Sequence, residues 1–148
     1  MLALATVGGV GCVPVAPGTA GSLIALPLLP VLAALRASSP AAYLAAVAGV
    51  VGSACWAAGR AEDILGGHDH SRIVIDEVAG LVVAGAFLPA TWLAAGLAFA
   101  FFRLFDVLKP FPAGAIDAHL KGGLGVVGDD LVAGAYAGLV TYALLRLL

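Results

Sequence analysis

The chain has 148 residues, of which 62% are hydrophobic and 11% charged, with a net charge of −2 and a mean hydropathy of +1.09. Soluble domains carry about a quarter charged residues, so seven Lys and Arg with nine Asp and Glu cannot cover a water-soluble globule of this size, and lipid is the expected solvent. With no basic excess, binding to a nucleic-acid backbone has no electrostatic footing.

The 35 residues at the start carry no charge. A cleavable signal peptide, which needs a positive leading region, is not expected there; a retained, membrane-embedded segment is. Cys12 lies in this segment and Cys55 in the next, in apolar surroundings without CxxC spacing, and both read as packing residues. The first helix is predicted to open after Pro17-Gly18-Thr19, run through residues 23–35 with kinks at Pro27 and Pro30, and end near Arg36-Ala37-Ser38-Ser39-Pro40. A second covers residues 41–59, its last turns extending towards Asp63.

Residues 78–102 contain no charge and could form a single span. Leu88-Pro89-Ala90-Thr91-Trp92 argues otherwise, because Pro89 disfavours helix at Leu88 and Thr91 can cap a new helix starting at Trp92. A hairpin is therefore predicted, residues 73–88 going out and 92–108 coming back. A last helix is expected over residues 129–147. The whole is a single domain, residues 1–148, of all-α class: a polytopic helical membrane bundle of about five helices with one hairpin broken near Pro89.

In this arrangement all nine carboxylates and five cations, Arg60, Arg72, Arg103, Lys109 and Lys121, fall on one side, with Arg36 and Arg146 on the other. The positive-inside bias makes the charged side cytoplasmic. Charges gathered at the ends of apolar helices suggest a site. Carboxylates without a thiol pair suit a hard divalent cation such as magnesium, and Arg103, Lys109 and Lys121 are then free for a phosphate.

Each element also has an ordinary structural reading. Asp129 and Asp130 at the start of the last helix could be caps, and the adjacent Asp76 and Glu77 could serve the same purpose in their own helix. Arg103, Asp106 and Lys109, at i, i+3 and i+6, could form a surface ion-pair ladder on one helical face. His68, Asp69, His70 and His119 lack the i, i+4 spacing usual for histidine ligands on a helix. Residues 17–22 and 122–125 are glycine-rich turns whose N–H groups could hold phosphate oxygens or simply allow close packing.

Four strings, APGTAGSL (16–23), HDHSRIVIDEVAG (68–80), FRLFDVLKPFP (102–112) and GGLGVVGDDLVAG (122–134), together resemble the phosphatidylglycerophosphatase A family across almost the whole chain. The resemblance implies a magnesium-dependent enzyme of the bacterial inner (cytoplasmic) membrane, a multi-pass protein with its active site facing the cytoplasm. Its substrate would be phosphatidylglycerophosphate, cleaved to phosphatidylglycerol and inorganic phosphate.

Carried onto this chain, the family's motifs fall on Pro17, Gly18, Thr19, Gly21 and Ser22, on Asp63, on the Asp76-Glu77 pair, on Arg103, Asp106, Lys109, Pro110 and Pro112, on Asp117, and on the Asp129-Asp130 pair. The implied roles are catalysis by Asp76, Glu77, Asp106, Asp129 and Asp130, with Mg2+ held by Asp76, Glu77, Asp129 and Asp130. Substrate binding is assigned to Thr19, Ser22, Arg103 and Lys109. Arg72 and Lys121 lie outside the motifs.

The attack on phosphorus could come from water or from a carboxylate forming an aspartyl-phosphate. No PSGH string of histidine-type lipid phosphatases occurs, and Asp130-Leu131-Val132-Ala133-Gly134 lacks the DG and AR of CDP-alcohol phosphotransferases. The rival class is a small membrane transporter or channel with a one-sided charged vestibule, which would need polar residues in mid-span that the sequence does not supply.

Overall fold

The computed structural model describes residues 1–66 and 70–147. Apolar sequence punctuated by proline and glycine folds as helix throughout these residues, and no strand occurs among them. A short α1 (Leu2–Ala5) and a 3-10 turn (Val10–Cys12) lead into α2 (Pro17–Ala25) and α3 (Leu28–Ser38), followed by α4 (Pro40–Leu65), α5 (Ile75–Ala84), α6 (Trp92–Leu108), α7 (Ala113–His119) and α8 (Gly123–Leu147).

Local sequence explains most of the boundaries. Pro17 occupies the first turn of α2, where its missing N–H costs nothing. Pro27 breaks the predicted first helix into α2 and α3, more than the kink expected there, whereas Pro30 falls in the first turn of α3, where no intrahelical bond is lost, and produces no second break. The Ser39 hydroxyl accepts the Ala42 N–H and Pro40 follows it, opening α4; Gly66 closes that helix in the left-handed conformation. Pro17–Ser38, Pro40–Leu65 and Gly123–Leu147 are each long and apolar enough to cross a membrane.

The hairpin around Pro89 is present, and Thr91 Oγ1 accepts the Ala94 N–H at 3.2 Å to open α6 at Trp92. Its outgoing limb is shorter than the predicted residues 73–88: α5 has 10 residues, about 15 Å at 1.5 Å per residue, too little to span a bilayer alone. The reason lies in a distant residue. Arg36 donates from Nη1 to the Ala86 carbonyl and from Nη2 to the Leu88 carbonyl at 2.8 Å, holding residues 85–87 as turn and Leu88 outside any helix.

The last helix requires a second correction. It starts at Gly123, not at residue 129, because Gly122 turns the chain with φ of 71° and its carbonyl accepts the N–H groups of Gly125 and Val126 at 2.8 and 3.1 Å. Asp129 and Asp130 thus sit about two turns inside α8, and helix capping no longer accounts for them. The short α7 between the prolines and this glycine turn was not anticipated.

Helix α8 runs through the middle of the bundle, packed against α4, α5, α6 and α7. The α5–α8 crossing is a backbone contact: a Cβ on Gly134 would collide with the Gly80 carbonyl, so glycine is required at this approach. Around it the core is built of fully buried alanines, among them Ala79, Ala98, Ala133 and Ala137, with Phe102 the largest side chain enclosed. Large apolar side chains such as Ile24, Val31, Leu44, Trp92, Leu93 and Leu139 face outward, as lipid contact demands.

Candidate active site

Three helices bring carboxylates to one end of the bundle. Asp76 and Glu77 occupy the first turn of α5, Asp106 the last turns of α6, and Asp129 and Asp130 the interior of α8. Close packing of α5 on α8 through Gly80 and Gly134 sets the spacing. One carboxylate oxygen from each of Asp76, Glu77 and Asp130 lies within 4.8 Å of the other two. Asp76 and Asp130 are 5% and 3% exposed, and Glu77 Oε2 is buried without a hydrogen-bond partner.

Such an all-oxygen donor set with no sulfur or imidazole is what a hard divalent cation takes. Buried like charges at this separation otherwise repel.

Arg103 is the cation of this cluster. Its Nη1 lies 2.8 Å from Asp106 Oδ2 and 3.9 Å from Glu77 Oε1, and Asp106 in turn is beside Asp130. One guanidinium therefore faces two carboxylates, one of them a member of the Asp76, Glu77 and Asp130 group.

The N-terminus of α2 completes the wall. Gly18 packs so closely on Glu77 that a Cβ would overlap Oε1, with Arg103 Nη1 at 3.3 Å from the same position. No side chain caps α2, so first-turn N–H groups and the positive end of the helix dipole are presented beside the carboxylates. Thr19 is half-buried in this turn. The Ser22 hydroxyl, fully buried, donates to the Gly18 carbonyl at 2.9 Å and so braces the turn from within.

Lys109 departs from the predicted ladder. Arg103 and Asp106 do pair at i, i+3, but α6 ends at Leu108 and Lys109 takes the left-handed conformation (φ 43°, ψ 56°), which turns its side chain to another group. Its Nζ lies 2.6 Å from Asp129 Oδ2 and 2.9 Å from Asp117 Oδ2. Burial alone would lower the pKa of this ammonium, but hydrogen bonds and charge from Asp129 and Asp117 outweigh it and hold the pKa well above the ordinary lysine value. Adjacent aspartates on α8 thus have different partners, Asp130 the Asp76 and Glu77 carboxylates and Asp129 the Lys109 ammonium.

The remaining polar positions lie apart. Arg60 and Asp63 form an exposed pair at 4.0 Å near the end of α4. Arg72 and Lys121 are exposed; the His70 Nδ1 accepts the Arg72 N–H, and His119 Nδ1 contacts the Ala115 carbonyl. His68 and Asp69 lie outside the described residues. Sequence reasoning left Asp117 without a role and gave no reason for Gly18 beyond its turn. Neither contact has a spacing signal, since each joins elements distant in the chain.

A family model described as phosphatidylglycerophosphatase A matches residues 3–145. The chain belongs to this family. It is 40% identical over 91 residues to the phosphatidylglycerophosphatase A of Haemophilus influenzae, covering 61% of this chain and 56% of that protein. It is also 40% identical over 81 residues to the protein of the same name from Escherichia coli K12, covering 53% of this chain and 46% of the relative. The chain spans about half the length of the curated relatives it matches. No solved structure matches it.

Proposed function

We propose that this chain is a multi-pass phosphatase of the bacterial inner membrane that hydrolyses the terminal phosphate monoester of phosphatidylglycerophosphate, with magnesium, at a site facing the cytoplasm. The observation that carries the reading is the meeting of Asp76, Glu77 and Asp130 with Arg103 at the uncapped end of α2, in a chain of this family. Asp76, Glu77 and Asp130 would hold Mg2+, for which their oxygen-only, mutually repelling set is suited. Bound there, the ion supplies Lewis acidity towards a phosphoryl oxygen.

The chain's own groups divide the remaining work. Arg103 offers its planar donors to the non-bridging phosphate oxygens, assisted by Thr19 and the N–H groups at the start of α2. Asp106, within 2.8 Å of Arg103, fixes the guanidinium and is placed to accept a proton from the attacking water. As the P–O bond to glycerol breaks, the departing oxygen takes up the proton that the water gave to Asp106, and the lipid hydroxyl is released with inorganic phosphate. Lys109, kept charged by Asp129 and Asp117, adds positive potential next to the triad, so that Asp129 acts by positioning Lys109. Ser22 braces the α2 turn.

The test is phosphate release from phosphatidylglycerophosphate by the purified protein in detergent, with magnesium and with EDTA. Release that requires magnesium and falls about a hundredfold or more in Arg103→Lys, which loses the two-pronged contact, is the expected result. No release under either condition would overturn the assignment.

A further inference from the structure

Among the described residues, the opposite end of the bundle carries two arginines and no Asp or Glu. Arg36 closes α3 and Arg146 lies in the last turn of α8, whereas all nine carboxylates lie in residues 62–130. Neither arginine forms an ion pair among the described residues. The two nevertheless line one cavity, of about 320 Å³, together with Phe87, Pro89, Tyr142 and Leu145. Tyr142 orients Arg146: its hydroxyl accepts from Nη2 at 2.7 Å and its ring lies 5.1 Å under the guanidinium. Arg36 is fixed by the Ala86 and Leu88 carbonyls. Both positive charges are therefore held in place, with no ion-pair partner among the described residues.

An apolar groove continues from this cavity. A second space of about 370 Å³ shares Arg36, Phe87 and Tyr142 with it and extends to Gly138 and Leu139. The groove then follows Val83 and Ala135 towards the middle of the bundle. Gly138 lets α8 approach the Ala84 carbonyl of α5 beside this groove. Along α8, Arg146 stands about 24 Å from Asp130 at 1.5 Å per residue, close to the thickness of a hydrocarbon core, so this groove and the acidic site meet opposite leaflets.

We propose that the groove is a binding site for an anionic glycerophospholipid of the leaflet opposite the acidic cluster. Its phosphate sits between Arg36 and Arg146, and one acyl chain lies along Phe87, Gly138 and Leu139. The proposal rests on the membrane-spanning reading and not on the phosphatase reaction. Two fixed arginines with no carboxylate paired to them among the described residues favour a net negative headgroup, because a zwitterionic one brings its own cation to a place that already has two.

The experiment is native mass spectrometry of the full chain in detergent with equal amounts of phosphatidylglycerol and phosphatidylcholine of the same acyl chains. The expected result is preferential retention of phosphatidylglycerol. Its retention should weaken about fivefold in Arg146→Gln, and survive in Arg146→Lys. Leu139→Trp, which fills the groove, should reduce retention of the bound lipid while leaving the arginines intact. Equal retention of the two lipids, or a preference undiminished in Arg146→Gln, would overturn the proposal, the second by placing the lipid elsewhere. Phosphate release measured on the same preparations reads the catalytic assignment independently, since Arg146 and Leu139 lie outside that machinery.

Discussion

Replacing Asp130 with asparagine should uncouple stability from activity. Asp130 is 3% exposed, and its carboxylate oxygen lies within 4.8 Å of oxygens from Asp76 and Glu77. At that separation each ionised pair repels by about 3 kcal/mol at an effective dielectric constant of about 20. Relieving even half of one pair, between about 1 and 2 kcal/mol, raises the melting temperature of a chain this long by about 4 °C. In EDTA, Asp130→Asn should therefore melt higher than the unmodified protein.

The same substitution replaces one of three carboxylates by a neutral amide oxygen, so added magnesium, which should raise the melting temperature of the unmodified protein, should need at least about tenfold higher concentration to raise that of the variant equally. Phosphate release should drop by orders of magnitude. Thermal melts in detergent across a magnesium series, paired with phosphate release, measure all three. A purely structural aspartate would behave oppositely: a variant that melts lower in EDTA yet keeps the full magnesium-induced shift would refute the cation-site argument. Asp129→Asn is the internal control, because its carboxylate faces Lys109, and it should retain the magnesium-induced shift.

Three further expectations follow from particular contacts. Gly18→Ala drives a methyl group onto Glu77 Oε1; it should cost about 1–3 kcal/mol in thermal melts, and displacement of Glu77 should lower turnover about a hundredfold. Because the folded-state pKa of Lys109 is raised above its ordinary value, its ion pairs contribute fully below that value and are lost only as pH rises through the folded one. The melting-temperature gap between the unmodified protein and Lys109→Met should thus stay constant from about pH 7 to 9.5 and narrow only at higher pH; a gap that closes by about pH 9 would contradict the Asp129 and Asp117 contacts. In intact cells a cysteine at Thr91, in the hairpin turn, should react with an impermeant probe, and one at Gly114, on α7, only after permeabilisation; the reverse pattern would invert the orientation.

Much of this protein is legible in its sequence because the strongest signals are local. Hydropathy with too few charges to wet a surface specifies a lipid-facing helical bundle. Pro17, Pro27, Pro40, Pro89 and Thr91 set helix boundaries through their own backbone chemistry, and α6 begins and ends where that chemistry places it. The motifs likewise implied Asp76, Glu77, Asp129 and Asp130 as one cation set with Arg103 and Lys109 beside it, a set in which the structure brings Asp76, Glu77 and Asp130 together.

Which carboxylate does what is a different matter, decided only by packing. Asp129 and Asp130 are neighbours in sequence with the same apparent capping role, yet successive residues on a helix point about 100° apart, so one meets α5 and the other Lys109. The length of α5 depends on Arg36, fifty residues earlier, and the Gly18 contact joins α2 to α5 across an intervening helical pair. Local propensity carries no record of such meetings. They arise where glycine and alanine let helix backbones approach, and that approach selects the partners of each charged side chain.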